Sequence, residues 1–333
     1  MRPSLPGPTD ADAPGHPVTS TSPQGAFRWF SGQPYVLLVF TMLIWGANAV
    51  AARLAVGEIS PMVVTFLRWT VCCVALLLTS RRQIADHWHV LRPSWRYVVL
   101  MGALGFTGFN ALFYAAAHHT TAINIAIIQG TIPVFVLLGS LMVFGIRIGV
   151  LQVVGVALTL AGIAVVASRG QISELARLDF NAGDVWMVVA CVLYAGYALG
   201  LRRRPAVPAV VFFAATAAVA ALVSLPLVAI EIARGQAFVP TPTGLALVLF
   251  IGLLPSFVSQ LTFMQAVSLI GPARAGMFMN LVPIFGPLLA VLVLGEPLSP
   301  FHAVALALVL GGIYVAEHLG ARGRPNPPTP SIR

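Results

Sequence analysis

"NLVPIFGPLLAVLVLGEPLS" (residues 280–299) is an apolar stretch with an amide at its head, prolines at 283 and 287 inside it and a carboxylate, Glu296, near its tail. An earlier stretch, "GTIPVFVLLGSLMVFGIRIG" (residues 130–149), repeats the plan. Pro133 matches Pro283 and Gly145 matches Gly295 at an offset of 150 residues (283 − 133 = 150). The carboxylate is not repeated: Ile146 stands at the position that corresponds to Glu296. Outward from these two segments the same offset pairs Gly102 with Gly252, Phe113 with Phe263 and Phe135 with Phe285. It also pairs Gly162 with Gly312 and Ile163 with Ile313, and no gap is needed.

Both copies lie in strongly apolar surroundings. Of 333 residues, 58% are hydrophobic and only 9% charged, where a soluble globule carries about 25% charge. The charges collect in short clusters between apolar runs of about 20 residues, the length needed to cross ~30 Å of hydrocarbon. The runs do not alternate as barrel strands would. The expected fold is an all-α integral membrane protein with ten transmembrane helices. In the first half they lie near 35–55, 60–79, 97–117, 122–145 and 148–168. In the second half they lie near 184–201, 207–230, 244–268, 272–294 and 300–317. Five crossings per copy is an odd number, so the copies, residues 34–168 and 183–317, are expected as two inverted five-helix repeats. Such repeats characterise secondary transporters, whose sites lie near the midplane between the halves. Residues 1–33, rich in Pro, Gly, Ser and Thr and without the apolar core of a signal peptide, are expected to form a disordered tail. Residues 318–333 are expected to form a cytoplasmic C-terminal tail.

The basic residues, all of them arginine, set the orientation. Arg81, Arg82, Arg92 and Arg96 fall between the second and third runs, Arg147 between the fourth and fifth, and Arg202, Arg203 and Arg204 between the sixth and seventh. With Arg28 before the first run and Arg274, Arg322, Arg324 and Arg333 later, all face the cytoplasm if both termini do. The opposite side holds the more acidic loop with Glu174, Asp179 and Asp184. The net charge of +9 thus marks topology in a cytoplasmic (inner) membrane and gives no reason to expect a nucleic-acid partner. Cys72, Cys73 and Cys191 lie inside apolar runs, so no disulfide framework is indicated.

Polar side chains inside spanning helices are costly and face the protein interior. Asn110, Tyr114 and His118 recur at steps of four, on one helix face, and Ser256, Gln260, Met264 and Ser268 do the same. The offset places Asn110 on Gln260. Trp45 and Asn48 share a face of the first helix, and Tyr194 and Tyr197 answer them in the sixth. A proline inside a helix frees the carbonyl four residues back, which in lipid must face protein or a wet cavity. Pro133 and Pro283 are therefore expected to bend the fourth and ninth helices at the centre, with Gln129 and Asn280 beside the bends. The expected substrate cavity is lined by Trp45, Asn48, Asn110, Tyr114 and Gln129 from the first half and Tyr194, Tyr197, Gln260 and Asn280 from the second.

Two charges inside the runs are expected to be structural. Arg68 must find a carbonyl or an acid, for which Glu58 is a candidate, and contact with a substrate anion is the other reading. Glu296 precedes Ser299 and Pro300, an N-cap and first position for the tenth helix, and is expected to favour that N-terminus through the helix dipole. His118 and His119 are expected at the outer surface. No phosphate-cradling loop, metal-ligand cluster or serine elbow is present, so neither an ATPase, a metal site nor a cofactor is expected.

These residues resemble the EamA-like permeases of the drug/metabolite transporter superfamily. The resemblance rests on "WGANAVAARLA" from Trp45, on "SPMVVTFLRW" from Ser60 with Pro61 and Arg68, on Pro133, and on "LVPIFGPLLAVLVLGEPLS" from Leu281. It implies ten helices, both ends in the cytoplasm, and a multi-pass inner-membrane carrier, often an exporter of amino acids or related metabolites. The chain departs from the family pattern at Ile146, where the first copy usually carries Glu. The expected function is a non-enzymatic secondary transporter exporting a small amphipathic or zwitterionic metabolite, an amino acid or derivative, by alternating access. Export of drugs or other amphipathic compounds is the alternative, and an intramembrane enzyme a distant one. The sequence admits a homodimer without requiring it.

Overall fold

The structure, a computed structural model, describes residues 32–145, 149–171 and 181–316. Most of the expected N-terminal tail, the expected C-terminal tail, Ile146, Arg147, Glu174 and Asp179 lie outside the described residues. Among the described residues there is no strand. The helices are α1 (Pro34–Leu54), α2 (Pro61–Leu91), α3 (95–117), α4 (Ala122–Phe144) and α5 (Val150–Ala167), then α6 (Ala182–Gly200), α7 (Ala209–Ala233), α8 (Pro242–Ile270), α9 (272–294) and α10 (Pro300–Tyr314). Eight stretches among the described residues are long and apolar enough to cross a membrane. One of them, Pro61–Ala117, holds both α2 and α3, joined by a 3-10 turn at Arg92–Ser94.

Local chemistry sets the boundaries. Prolines open α1, α2, α8 and α10 in the first turn, where a missing N–H costs nothing. Gly145 and Gly295 close α4 and α9 in the left-handed conformation, φ 61° and 66°, which glycine adopts without a Cβ clash. One boundary departs from the sequence expectation: α2 continues to Leu91, so Arg81 and Arg82 sit on an exposed helical extension and not in a loop. No glycine or proline interrupts residues 80–91, and solvent satisfies the polar side chains of "SRRQIADHWH".

The main packing pairs recur when every label is shifted by five. α2 packs on α7, α4 on α9 and α5 on α10. The contact of α1 with α8 is answered by α6 with α3, α1 with α9 by α6 with α4, and α2 with α8 by α7 with α3. Backbone irregularities recur with the sequence offset. A π-helical turn occupies Ala103–Gly108 in α3 and Gly252–Val258 in α8. α4 breaks at Gly130–Thr131 and α9 tightens into a 3-10 turn at Phe278–Leu281.

Pro133 and Pro283 belong to these interruptions in a way the sequence reading does not anticipate. Each lies in the first turn of the segment that follows the break, Ile132–Phe144 or Val282–Leu289, so the helix is interrupted rather than bent through a continuous ladder. At the first break the carbonyl of Ile128 accepts from Thr131 Oγ1 at 2.7 Å and from Cys191 Sγ at 3.5 Å. The two breaks touch: a Cβ on Gly130 would stand 2.8 Å from Pro283 Cγ. A Cβ on Gly286 would collide with Ala126, and one on Gly46 would lie 2.9 Å from the Gly286 nitrogen. Small residues thus let α1, α4 and α9 meet at backbone distance, the usual device for close helix approach in lipid.

Candidate functional site

Beside this crossing lies a cavity with about 740 Å³ of atom-free space, open solvent at its mouth included. α1 supplies Trp45 and Asn48, α3 supplies Asn110, α4 supplies Gln129 and Pro133, α6 supplies Tyr194 and α8 supplies Gln260. The sequence reading therefore names six of its wall residues as cavity side chains. Tyr114 stands behind the wall, 2% exposed. Tyr197 packs over Gly105 and against Phe106, ring centroids 5.2 Å apart, and is not part of the lining. Asn280 belongs to the 3-10 turn of α9 whose neighbours Met279 and Val282 line the cavity while it does not. Pro283 borders the cavity through its contact with Gly130.

Arg68 is the organising residue. It comes from α2, is 4% exposed and forms part of the cavity wall. Its Nε and Nη2 donate to Ser256 Oγ at 2.9 and 2.7 Å, and its Nη1 donates to Tyr114 Oη at 2.5 Å and to Asn110 Oδ1. Tyr114 Oη in turn donates to Asn48 Oδ1 at 3.1 Å, and Asn110 Nδ2 donates to the Phe106 carbonyl at 2.6 Å. Glu58, the acid suggested by sequence, is engaged elsewhere, accepting from Thr241 Oγ1. Arg68 is thus held by neutral oxygens from α3 and α8, and the amides expected to face a ligand also position a charge. The helix periodicity that places Asn110 and Tyr114 on one face extends back to Phe106, a wall residue the sequence reading passes over. Trp69 and Phe109 complete an aromatic side, with Trp69 stacked on Phe106 at 4.4 Å. Across the cavity Trp45 Nε1 donates to Ser259 Oγ at 2.8 Å, tying α1 to α8.

The two ends of the bundle are closed differently. At the end where α1 meets α2, carboxylates cross from one half of the chain to the other. Glu231 Oε1 accepts from the Met62 N–H at 3.2 Å, and Asp184 accepts from Thr120 Oγ1 at 2.6 Å and from Asn124 Nδ2. Arg53 Nη1 donates to the Ala117 carbonyl at 2.6 Å. Glu296 joins this seam. It does not serve α10, whose N-terminus is capped by Ser299 and His302, with the Ser299 N–H donating to His302 Nδ1 at 3.0 Å. Instead its two oxygens accept the N–H groups of Ala122 and Ile123, at 2.9 and 3.1 Å, the first turn of α4. A carboxylate favours such a terminus by filling orphan donors and opposing the dipole. The backbone distance is invisible in sequence, which is why the nearer helix looks like the target. At the arginine-rich end the described bridges are Tyr97 Oη to the Gly200 carbonyl, 2.8 Å, and the Arg202 guanidinium over the Phe144 ring, 4.7 Å.

His118 follows α3 at the carboxylate-rich end, and His119 packs edge-on against Trp186 at 4.8 Å. Burial, then His119 and Arg53, hold the His118 imidazole below its ordinary pKa.

Known proteins give this architecture a setting. The chain is 24% identical to uncharacterized transporter YyaM of Bacillus subtilis, over 85% of this chain and 93% of the relative. It is 26% identical to uncharacterized inner membrane transporter YedA of Escherichia coli, over 80% and 85%. It is 27% identical to a probable terminal-alkyne amino-acid exporter of Streptantibioticus cattleyicolor, over 89% and 97%. One solved crystal structure superposes with a TM-score of 0.60 at 20% identity, covering 87% of this chain and 98% of its own, a likeness of fold alone. The model of the EamA-like transporter family matches twice, over residues 33–168 and 181–316. The chain is a multi-pass membrane transporter, not an enzyme, and it belongs to the EamA-like transporter family.

Proposed function

We propose that the chain is a secondary carrier with ten crossings in two inverted five-helix halves and both termini in the cytoplasm. It exports a small amphipathic or zwitterionic metabolite, an amino acid or derivative, by alternating access. The observation that carries this reading is the cavity beside the touching interruptions of α4 and α9, walled by amides and aromatics from both halves. Carriers typically form a central site from interrupted helices and expose it to each side in turn by rocking one repeat against the other. The main packing pairs that recur at a shift of five, and the π-turns and the left-handed Gly145 and Gly295 at matching places, support two related halves. An odd number of crossings in each half requires them to be inverted. The arginine distribution supports cytoplasmic termini.

With that orientation the carboxylate seam lies outside, so the arrangement described is closed to the exterior. The Streptantibioticus relative, described as a probable exporter of an amino acid, supports the substrate class. Counterflow of labelled L-phenylalanine or L-leucine into proteoliposomes tests the proposal. Counterflow by the unaltered chain, lowered in apparent affinity by Gln260→Ala, is expected. Uptake no faster than in protein-free vesicles for these and other neutral amino acids overturns it.

A further inference from the structure

We propose that Arg68 receives the carboxylate of the transported molecule and the Gln129 side-chain carbonyl its ammonium, so that the cavity takes an α-amino acid with an apolar side chain. This deepens the carrier reading of the same cavity and rests on it. Of the ten acidic residues in the chain, the described ones are Glu58, Asp86, Asp184, Glu231 and Glu296. Glu58 is bound to Thr241, Asp184 to Thr120 and Asn124, Glu231 to the Met62 amide, and Glu296 to the first turn of α4. Asp86 sits on the exposed extension of α2. Among the described residues none is left for Arg68, whose four hydrogen bonds all end on neutral oxygens.

A buried guanidinium in a spanning helix is costly unless a counter-charge or a wet cavity serves it. Here it forms part of a cavity wall. Five N–H groups are available and four are used, which leaves one on Nη2. Asn110, Tyr114 and Ser256 fix the group in place, so little ordering is required when an anion arrives. A carboxylate oxygen can accept that remaining Nη2 hydrogen in a short charge-assisted bond.

The opposite pole is set by Gln129. Its Oε1 is buried without a hydrogen-bond partner, and the residue lines the same cavity. An orphaned acceptor in a low-dielectric site gains by meeting an N–H donor. Since no described carboxylate lines the cavity, a ligand with net positive charge would meet Arg68 with repulsion, whereas a zwitterion satisfies both poles. Trp45, Trp69, Phe106, Phe109 and Tyr194 offer its side chain an apolar, flat-walled berth.

The test uses the purified full-length chain in detergent, its thermal unfolding followed with increasing L-phenylalanine, L-phenylalaninamide or 3-phenylpropionate. L-phenylalanine is expected to raise the midpoint. The amide, which lacks the anionic group, should need at least about ten times the concentration for the same rise. 3-Phenylpropionate, which keeps the carboxylate, should outperform the amide. Gln129→Leu should weaken L-phenylalanine and leave 3-phenylpropionate unchanged, and Arg68→Gln should erase the preference for acid over amide. If Arg68→Gln does not fold, the three-compound series on the unaltered chain still decides the matter. Equal protection by acid and amide overturns the anchor, as does no protection by any compound up to its solubility limit. Acid-selective protection without counterflow keeps the anchor and overturns the carrier, so the two failures are distinct.

Discussion

Replacing Glu296 by alanine removes two carboxylate bonds, 2.9 and 3.1 Å long, from the first turn of α4. Loss of a side chain that fills helix N-terminal donors costs about 0.5–2 kcal/mol, and loss of a negative charge opposing the dipole costs about 0.3–1 kcal/mol. Glu296 is only partly buried, so the two effects together come to about 1–2 kcal/mol. The bonds join α9 to α4 across the two halves, so that sum falls on the arrangement closed at the carboxylate end and not on one in which this seam has parted. A bias of about 1–2 kcal/mol changes the ratio of the two states by roughly 5–30-fold. The assay is the rate at which a membrane-impermeant maleimide, added outside, labels Gln260→Cys in a chain whose Cys72, Cys73 and Cys191 are alanine. With Glu296→Ala that rate is expected to rise by about the same factor, and with Glu296→Gln, which keeps one accepting oxygen, by less. A fall in thermal midpoint with no change in labelling would reduce Glu296 to a local helix cap. No change in either would refute the reasoning altogether.

The crossing of α1 and α9 gives a packing prediction. Gly46→Leu places a side chain where a Cβ alone would be 2.9 Å from the Gly286 nitrogen and 3.0 Å from Phe285 Cβ. It should lower the thermal midpoint by more than the few degrees expected of an ordinary surface change and suppress counterflow, and normal values for both would contradict the close approach. Acid should loosen the carboxylate end through His118. Burial first, then His119 and Arg53, hold its folded pKa below the ordinary value, so the folded state binds fewer protons than the unfolded one. The stability it contributes is complete above about pH 6.5 and is lost as pH falls through the depressed value. The midpoint should therefore drop as pH falls below about 6.5, and His118→Gln should flatten that part of the profile. An identical profile for the variant would remove His118 from the account.

Much of the plan is legible in residues alone, because lipid leaves a chain few options. Run length, arginine placement and the offset of 150 residues are one-dimensional signals, and the helices and the doubled family match follow them. Trp45, Asn48, Asn110, Gln129, Tyr194 and Gln260 are found at the cavity because helical periodicity and the expense of burying polar atoms both point there. What escapes the sequence is contact between distant segments. Nothing near Glu296 in the chain names Ala122, and nothing near Arg68 names Ser256. The prolines show a third kind of gap. Their position was informative, but whether a helix bends or stops depended on the neighbours at Gly130 and Thr131, which let the chain stop.

The carboxylate clasp on α4 has a meaning for how such a doubled chain diverges. At the offset of 150 its receiving amides, Ala122 and Ile123, correspond to Pro272 and Ala273, and its own position corresponds to Ile146. Proline carries no amide hydrogen. The half without the acid therefore faces a partner whose helix start is one donor short. A fusion of two second halves would aim both acids at helix starts headed by proline. A fusion of two first halves would leave both starts with donors and no acid to receive. Only the unlike pair joins acid to a full set of donors, and it does so at one mouth, so neither half can stand in for its sibling.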